Sequence, residues 1–489
     1  MVAIPNIKKE EEKKEYFDSA EEIEEKATRL AQMIREANNI VFFTGAGIST
    51  STGISDYRSG EKTVLDVGPG CWEKQDLIRK WKEDRTNAGK ALPLAMTRGF
   101  NTAIIAAKPS PTHMALVELQ NRGKNIHVIS QNIDGLHRKS GLKPENMSEL
   151  HGNTNLEICK KCKAEHMRDF KVRCATKQNQ HDTGRKCEKK GCDGDLKDSI
   201  INYGDSLEGH IIEQASRKSA EADLYICMGS SMRVSPANML PTFCTWNGGK
   251  VVMMNLQKTP YDMLTDDGGL LIHSLIDPVM DNVMNKLGWP IPQFRRTYRL
   301  RVDMKSADNK SMHVYGVDGN GCNYVLFKEL KLTGFNTSAV TYDKIRCQRQ
   351  PLQHVAQKTN GAEFKVQMQF YGHYQEPNLE VTVPMAKLHE ARSLEIEMLY
   401  HVQFKTWEAV KLVKANAERE ELGAAEFRSI AFDYSAEERL NRPAAAQTRV
   451  NALGGGAAAN RASSQKRTNQ KAGAAAASST HIDRIKNTR

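Results

Sequence analysis

The first regular pattern of apolar and polar positions is helical. Ile23, Ala27, Leu30 and Ile34 recur at three- and four-residue spacing, after a Ser19-Ala20-Glu21-Glu22 capping box, so a helix is predicted through Glu36. The next run, Asn39-Ile40-Val41-Phe42-Phe43, is too short and too rich in β-branched and aromatic residues for a helix. It reads as a strand buried on both faces, as do Asn125 to Ile129, Asp223 to Met228 and Lys250 to Met254. Helical patterns lie between them at His113 to Gln120 and Gly209 to Ala222. Such alternation predicts an α/β fold, a doubly wound, Rossmann-like parallel sheet whose ligands bind outside the carboxyl ends of the strands.

Between Gly60 and Pro109 the pattern is charged, weakly periodic and rich in small residues, and part of it is expected to form a mobile lid. From about Gln293 the period changes to two. Tyr298, Leu300 and Val302 alternate with Arg or Asp, and Phe364, Val366 and Met368 with Lys or Gln, while Asp308-Asn309 and Asp318-Gly319-Asn320-Gly321 supply turn signals. A second, all-β domain, a sandwich, is predicted over 293–405. A charged helical segment is expected over 406–442, its helix at Glu408 to Phe427. Beyond Pro443 the chain is Ala, Gly, Ser and Asn with eight Lys or Arg against one acid, too little apolar surface for a core, so the 443–489 tail should be disordered.

Composition narrows the class. The chain has 489 residues, enough for two or three domains, and no apolar run approaches the ~20 residues of a membrane span, so a soluble protein is expected. The charged segment 1–18 has no apolar signal core and carries acids that a mitochondrial presequence avoids. A reducing compartment follows, in which ten cysteines read as metal ligands and core thiols rather than disulfides. The net charge of +11 favours a polyanionic or acidic neighbour, although many basic proteins bind nothing charged.

Several motifs sit just after the predicted strand ends. Thr44-Gly45-Ala46-Gly47-Ile48-Ser49 follows the first, where Gly45 and Gly47 would let backbone amides approach a pyrophosphate; an ordinary βα turn reads the same way. The third glycine of a dehydrogenase fingerprint is replaced by the run to Asp56-Tyr57-Arg58, and no acid stands at a second strand end to hold a ribose, which disfavours hydride transfer. Cys159-Lys160-Lys161-Cys162 and Cys187-Glu188-Lys189-Lys190-Gly191-Cys192 form two knuckles flanking a 24-residue excursion. Four thiolates suit a closed, structural Zn²⁺ site. Cys174, His166 and His181, inside the excursion, are substitute candidates.

Together with Ser110-Pro111-Thr112-His113, Ser130 to His137 (SQNIDGLH), Leu150-His151-Gly152-Asn153, Gly229-Ser230-Ser231 and Asn255-Leu256-Gln257-Lys258-Thr259-Pro260, these segments resemble the sirtuin family in order and spacing over roughly residues 20 to 290. Gln180-His181-Asp182-Thr183-Gly184-Arg185 resembles a loop of class IV sirtuins, the nuclear and nucleolar class. The resemblance implies a catalytic domain over 19–290, with a zinc module at about 155–200, and an NAD⁺-dependent protein-lysine deacylase that consumes NAD⁺ and releases nicotinamide. It makes His151 the general base on a ribose hydroxyl, and Asn132 and Asp134, with Gln131 and Ile133 beside them, the grip on nicotinamide. It assigns Ala46, Asp56, Tyr57 and Arg58 to the cofactor cover, Gly45 and Gly47 to the cofactor, Gly229, Ser230 and Ser231 to ribose and phosphate, Asn255 to the adenosine ribose with Leu256 and Gln257 also on the cofactor, and Ile276 to adenine. Tyr203, Gly204 and Val234 would meet the acyl-lysine substrate. His113 and His137 are expected to be structural.

Some positions depart from the family. Ser55 stands for a usual proline and Ser59 for a common glycine, both expected to loosen the lid, and Asn202-Tyr203-Gly204-Asp205 replaces the usual apolar residue, phenylalanine, glycine and glutamate in a strand expected to pair with the substrate peptide. The implied partners are acyl-lysine proteins such as histones, with DNA or RNA on the basic tail and no membrane, in the nucleus or nucleolus. Mono-ADP-ribosyl transfer, or a chromatin- or RNA-binding adaptor with an NAD-sensing pocket, are the competing readings. The role of the all-β domain is open.

Overall fold

A computed structural model describes residues 10–90 except 88, residue 104, residues 106–304 except 169, 176, 178, 179 and 190, and the stretches 312–317, 327–333, 340–341, 362–414, 419–422 and 427–430. The first helix, α1 (Ala20–Glu36), starts at Ser19 with the capping box in place: Ser19 N donates to Glu22 Oε2 at 2.7 Å and Glu22 N to Ser19 Oγ at 3.2 Å. It leads into β1 (Ile40–Thr44). Then follow α2 (Cys71–Glu83), α3 (Pro111–Asn121), β2 (Ile126–Ser130), the short α4 (Leu136–Ser140) and β3 (Met147–Glu149). Four short antiparallel strands come next: β4 (Leu156–Cys159), β5 (Glu165–Met167), β6 (Asp182–Lys186) and β7 (Asp195–Asp198). After α5 (Gly209–Glu221) come β8 (Leu224–Met228), α6 (Leu240–Trp246), β9 (Lys250–Met254), β10 (Leu270–Ile272) and α7 (Ile276–Leu287).

Six of these strands form one parallel sheet in the order β10-β9-β8-β1-β2-β3. Along β1, Ile40 and Phe42 pack with α1, α3 and α7, while Val41 and Phe43 pack with α5 and α6. Both faces are therefore covered, which is why the run carries no polar alternation. The chain winds outward from β1 through β2 and β3, then returns to lay β8, β9 and β10 on the other side. This reversal puts the switch point, where open α/β sheets leave a crevice, between the ends of β1 and β8.

The C-terminal strands are β11 (Arg295–Met304), β12 (Met312–Gly316), β13 (Phe327–Thr333), β14 (Val340–Thr341), β15 (Glu363–Phe370), β16 (Asn378–Pro384), β17 (Ser393–His401), β18 (Thr406–Lys414), β19 (Arg419–Glu421) and β20 (Phe427–Ile430). Two five-stranded antiparallel sheets, β12-β11-β17-β18-β19 and β14-β13-β15-β16-β20, share one core of residues such as Tyr298, Leu300, Val366, Met368 and Val381. The helix expected at Glu408 to Phe427 is absent among the described residues. Strand β18 occupies its start and pairs with β17, while β19 and β20 carry the sandwich past its expected end. Within the lid region, α2 spans Cys71–Glu83. The turn signals at 308–309 and 318–321, lid residues 91–103 and the tail beyond Pro443 lie outside the described residues. No helix among the described residues is long and apolar enough to cross a membrane.

Candidate active site and metal centre

The crevice begins where β1 runs into a 3-10 helix, Ala46–Thr52. Its glycines are there for a reason the sequence did not reveal. The Gly45 and Gly47 amides donate to Met228 O and Gly229 O, each at 2.9 Å, so they stitch the β1 turn to the β8 turn rather than wait for a phosphate. A Cβ on Gly45 would stand 2.5 Å from Gly229 O, and one on Gly47 2.6 Å from Gly229 Cα. Only glycine permits that backbone contact.

Asn132 and Asp134, just past β2, are buried and turned toward this helix. Asn132 Nδ2 donates to Gly45 O at 2.9 Å, and Asp134 accepts from Ser49 Oγ at 2.7 Å and from Leu136 N at 2.9 Å. Behind them Thr44 Oγ1 meets Ser130 Oγ at 3.1 Å and His137 Nε2 at 2.9 Å. His137 stacks near His113, and His113 belongs to the Ser110 cap of α3. Burial holds both imidazoles far below their ordinary range, so both are neutral supports.

His151 lies two residues past β3, against the turn that follows β2. Its Nδ1 lies 2.9 Å from the Gln131 carbonyl oxygen, which can only accept, so the proton sits on Nδ1. Nε2 is buried and has no hydrogen-bond partner among the described residues. Burial, opposed by the Gln131 bond, lowers the imidazole's pKa below 6.5. A neutral ring with an oriented, unshared lone pair is what a general base requires. Gln131 is fixed in turn by Ser230 Oγ, which donates to its Oε1 at 2.7 Å.

On the cover side, Arg58 reaches Ser231 Oγ at 3.3 Å and lies over the Trp72 ring, 4.4 Å from its centroid. Trp72 also packs against Tyr57 and Tyr203. The two serines expected to loosen this region tie it down. Ser59 Oγ donates to the Asp56 carboxylate at 2.5 Å, and Ser55 Oγ accepts from Lys74 Nζ at 3.0 Å. Burial raises the Asp56 pKa.

Asn202 to Asp205 form a turn rather than the expected strand, because Asp205 Oδ2 accepts from Asn202 N at 2.8 Å. Gly204 lies inside that turn, and Val234 is buried next to Ser235. At the end of β9, Asn255 Nδ2 donates to Gln257 O at 2.7 Å, which ties Asn255, Leu256 and Gln257 into one loop. Ile276 is buried at the start of α7. Ala46 and Ile133 sit in the β1 and β2 turns. Sequence reasoning missed Ser49, Ser130 and Thr44. All three lie inside motifs legible in the sequence, but a hydroxyl at a strand end has no distinctive spacing that would give it a role of its own.

The four module cysteines converge. Cys159 and Cys192 sulfurs are 3.7 Å apart, Cys162 and Cys187 sulfurs 3.6 Å, and all four lie within 4.8 Å of one another. A tetrahedron with Zn–S of about 2.3 Å has edges of about 3.8 Å, so the set fits Zn²⁺ with no position left for a substrate. The candidate substitutes stand aside. His166 Nε2 lies 3.4 Å from the Cys187 sulfur as a supporting group, Cys174 is exposed and bonded to the Val172 carbonyl, and His181 pairs with Asp198 at 3.0 Å. Buried Glu157 joins the sheet by accepting from Arg168 at 2.7 Å and Arg185 at 2.5 Å. Arg138 pairs with Glu149 of β3 at 2.7 Å and reaches the module through Glu165 of β5 at 2.6 Å.

A switch-point crevice carrying a neutral histidine and a buried amide and carboxylate, next to a closed four-thiolate module, defines an α/β enzyme site with a structural metal. The Sir2 family model matches residues 45–236, which contain this crevice and the module. "NAD-dependent protein deacetylase Sirt6" of Drosophila melanogaster is 35% identical over 289 residues, covering 57% of this chain and 81% of the fly protein. The chain belongs to the Sir2 family. "NAD-dependent protein deacetylase SRT1" of Oryza sativa subsp. indica is 39% identical over 297 residues, 60% of this chain. "NAD-dependent protein deacetylase sirtuin-7" of Bos taurus is 36% identical over 291 residues, 58% of this chain, in keeping with the class IV resemblance. The chain spans 55% of the rice protein's length and 65% of the bovine one's.

Proposed function

We propose that the chain is an NAD⁺-dependent protein-lysine deacylase, in which the acyl group passes from lysine to ADP-ribose as nicotinamide leaves. The observation that carries this is His151, with Nδ1 tied to the Gln131 carbonyl and Nε2 buried without a hydrogen-bond partner among the described residues. In this reading Asn132 and Asp134 hold the nicotinamide amide, and departure of that group leaves the ribose carbon open to the acyl-lysine oxygen. His151 Nε2 then takes a proton from a ribose hydroxyl, which attacks the acyl carbon. Asp56, Tyr57 and Arg58 exclude water, which would otherwise divert the activated ribose to hydrolysis. Gly229 to Ser231, Asn255 to Gln257 and Ile276 hold the dinucleotide, Tyr203, Gly204 and Val234 face the acyl-lysine, and the four cysteines hold Zn²⁺.

The test is mass spectrometry of the full chain with NAD⁺ and a panel of acyl-lysine peptides. Nicotinamide, free-lysine peptide and acyl-ADP-ribose should appear in equal amounts. ADP-ribose left on protein, without acyl-ADP-ribose, would favour the transferase reading instead.

The class IV resemblance and the basic tail support a nuclear or nucleolar protein acting on histone-like substrates, with the tail touching nucleic acid through salt-sensitive contacts. Truncation at Pro443 should reduce nuclear retention and salt-dependent affinity for DNA or RNA. Unchanged values would make the tail a bystander.

A further inference from the structure

The cover of the crevice is fastened by chain outside the family-matched residues 45–236. As sequence, residues 10–18 are a charge run. In the fold they form a strap with contacts on two sides. Toward the cover, Lys13 Nζ donates to both Glu73 carboxylate oxygens at 3.1 and 3.0 Å, with only 10% and 9% of the two side chains exposed. Glu15 accepts from Thr63 Oγ1 at 2.6 Å and Val64 N at 3.1 Å. Toward the sheet, Tyr16 N donates to Leu256 O at 2.9 Å, Gln257 Nε2 to Lys13 O at 3.3 Å and Asp18 N to His273 O at 2.8 Å. Glu12 pairs with Arg233 at 3.2 Å.

The fastening reaches the crevice through backbone. Glu73 lies in the first turn of α2, whose start is stitched to the Asp56 to Ser59 segment: Gly70 N donates to Ser59 O at 2.9 Å, Cys71 N to Asp56 O at 2.7 Å and Trp72 N to Tyr57 O at 3.2 Å. The two backbones touch, since a Cβ on Gly70 would stand 2.4 Å from Arg58 N. Displacing Glu73 therefore displaces Asp56, Tyr57 and Arg58. An exposed ion pair would contribute little to holding them, whereas a buried one that loses a partner leaves a charge stranded.

We propose that Lys13 and Glu15 are positioning residues for NAD⁺: the strap holds Asp56 to Arg58 in register with the Leu256-Gln257 loop, so that both sides of the cofactor site are set before the dinucleotide arrives. This rests on the deacylase reading. The test uses the full chain with Lys13→Glu, Glu73→Lys, the two combined, and Glu15→Gln. NAD⁺ affinity is measured by titration calorimetry without peptide, beside steady-state KM for NAD⁺ and kcat. Each charge reversal should weaken NAD⁺ binding about tenfold and raise KM in step, with kcat changed less than about threefold, and the swapped pair should recover most of the loss. Glu15→Gln, a milder change, should weaken binding about threefold and keeps the test open if a reversal fails to fold. Native affinity in folded Lys13→Glu and Glu15→Gln, or a swap no better than its parents, overturns the proposal alone. An unaltered chain that binds no NAD⁺ overturns the deacylase reading and the proposal with it.

Discussion

Gly152→Ala should damage the enzyme out of proportion to one methyl group. Gly152 has φ of +77°, and a Cβ there would stand 1.8 Å from Ser199 O and 2.4 Å from Ser199 C. An ordinary C···O contact is no closer than about 3.3 Å, so one backbone must retreat by roughly 1.5 Å. That separates Ile201 N from His151 O, now 3.0 Å apart, and the Ser199 hydroxyl from the Asn153 amide and carbonyl, at 3.0 and 3.1 Å. Three hydrogen bonds at about 1 kcal/mol each, with about 1 kcal/mol for the left-handed backbone, give a loss of about 4 kcal/mol. The residue that moves first is His151, and an error of about 1 Å at a base costs on the order of 10² in turnover. Gly141→Ala is the control. Its φ is +101° but nothing lies within 4 Å, so it should lose only about 1 kcal/mol and keep its turnover. Urea unfolding and deacylation assays on both variants decide the matter. Gly152→Ala with the stability and turnover of the Gly141 variant would refute the steric reasoning.

Zinc removal by a chelator, or Cys159→Ser, should unfold the four-strand module and abolish most activity although no cysteine meets substrate, as seen by metal analysis beside turnover; active zinc-free protein would contradict this. Glu157→Gln should destabilise the same module by about 3 kcal/mol, because Arg168 and Arg185 lose their buried carboxylate; limited proteolysis of the excursion reads this directly. His113 and His137 are depressed by burial, so between their folded values and 6.5 the unfolded chain binds more protons. Their stability contribution is then complete above about pH 6.5 and falls on acidification, by up to about 1.4 kcal/mol per pH unit per imidazole. Denaturant unfolding across pH 5 to 7.5 should show that slope, to which buried His127 adds, and His113→Gln should lessen it by about one imidazole's share.

Much of the crevice was legible because parallel strands buried on both faces write themselves as uninterrupted apolar runs, and β1, β2, β8 and β9 all did. The edge strands β3 and β10 were not, since three residues hold too little pattern to read. Strand β18 occupies the start of the expected charged helix, and its own pattern is irregular. Its ladder pairs Leu399 with Ala409 and Tyr400 with Trp407, leaving Glu408 extra in a bulge. The bulge puts Trp407 and Val410, three residues apart, into the same core, which breaks the period-two pattern by which a strand is read. At Gly45 and Gly47 the sequence marks the need for glycine but not the carbonyls that the amides bind. The strap was invisible, since a charge run looks the same whether its partners are solvent or Glu73 and Arg233.

The central claim is that His151 acts after nicotinamide has left. In His151→Ala, deacylation of an acyl-lysine peptide should fall by about 10² to 10⁴, while peptide-dependent exchange of labelled nicotinamide into NAD⁺ continues, because the steps before the base are intact. Deacylation at the native rate, or loss of exchange in step with deacylation while NAD⁺ still binds, would contradict the account.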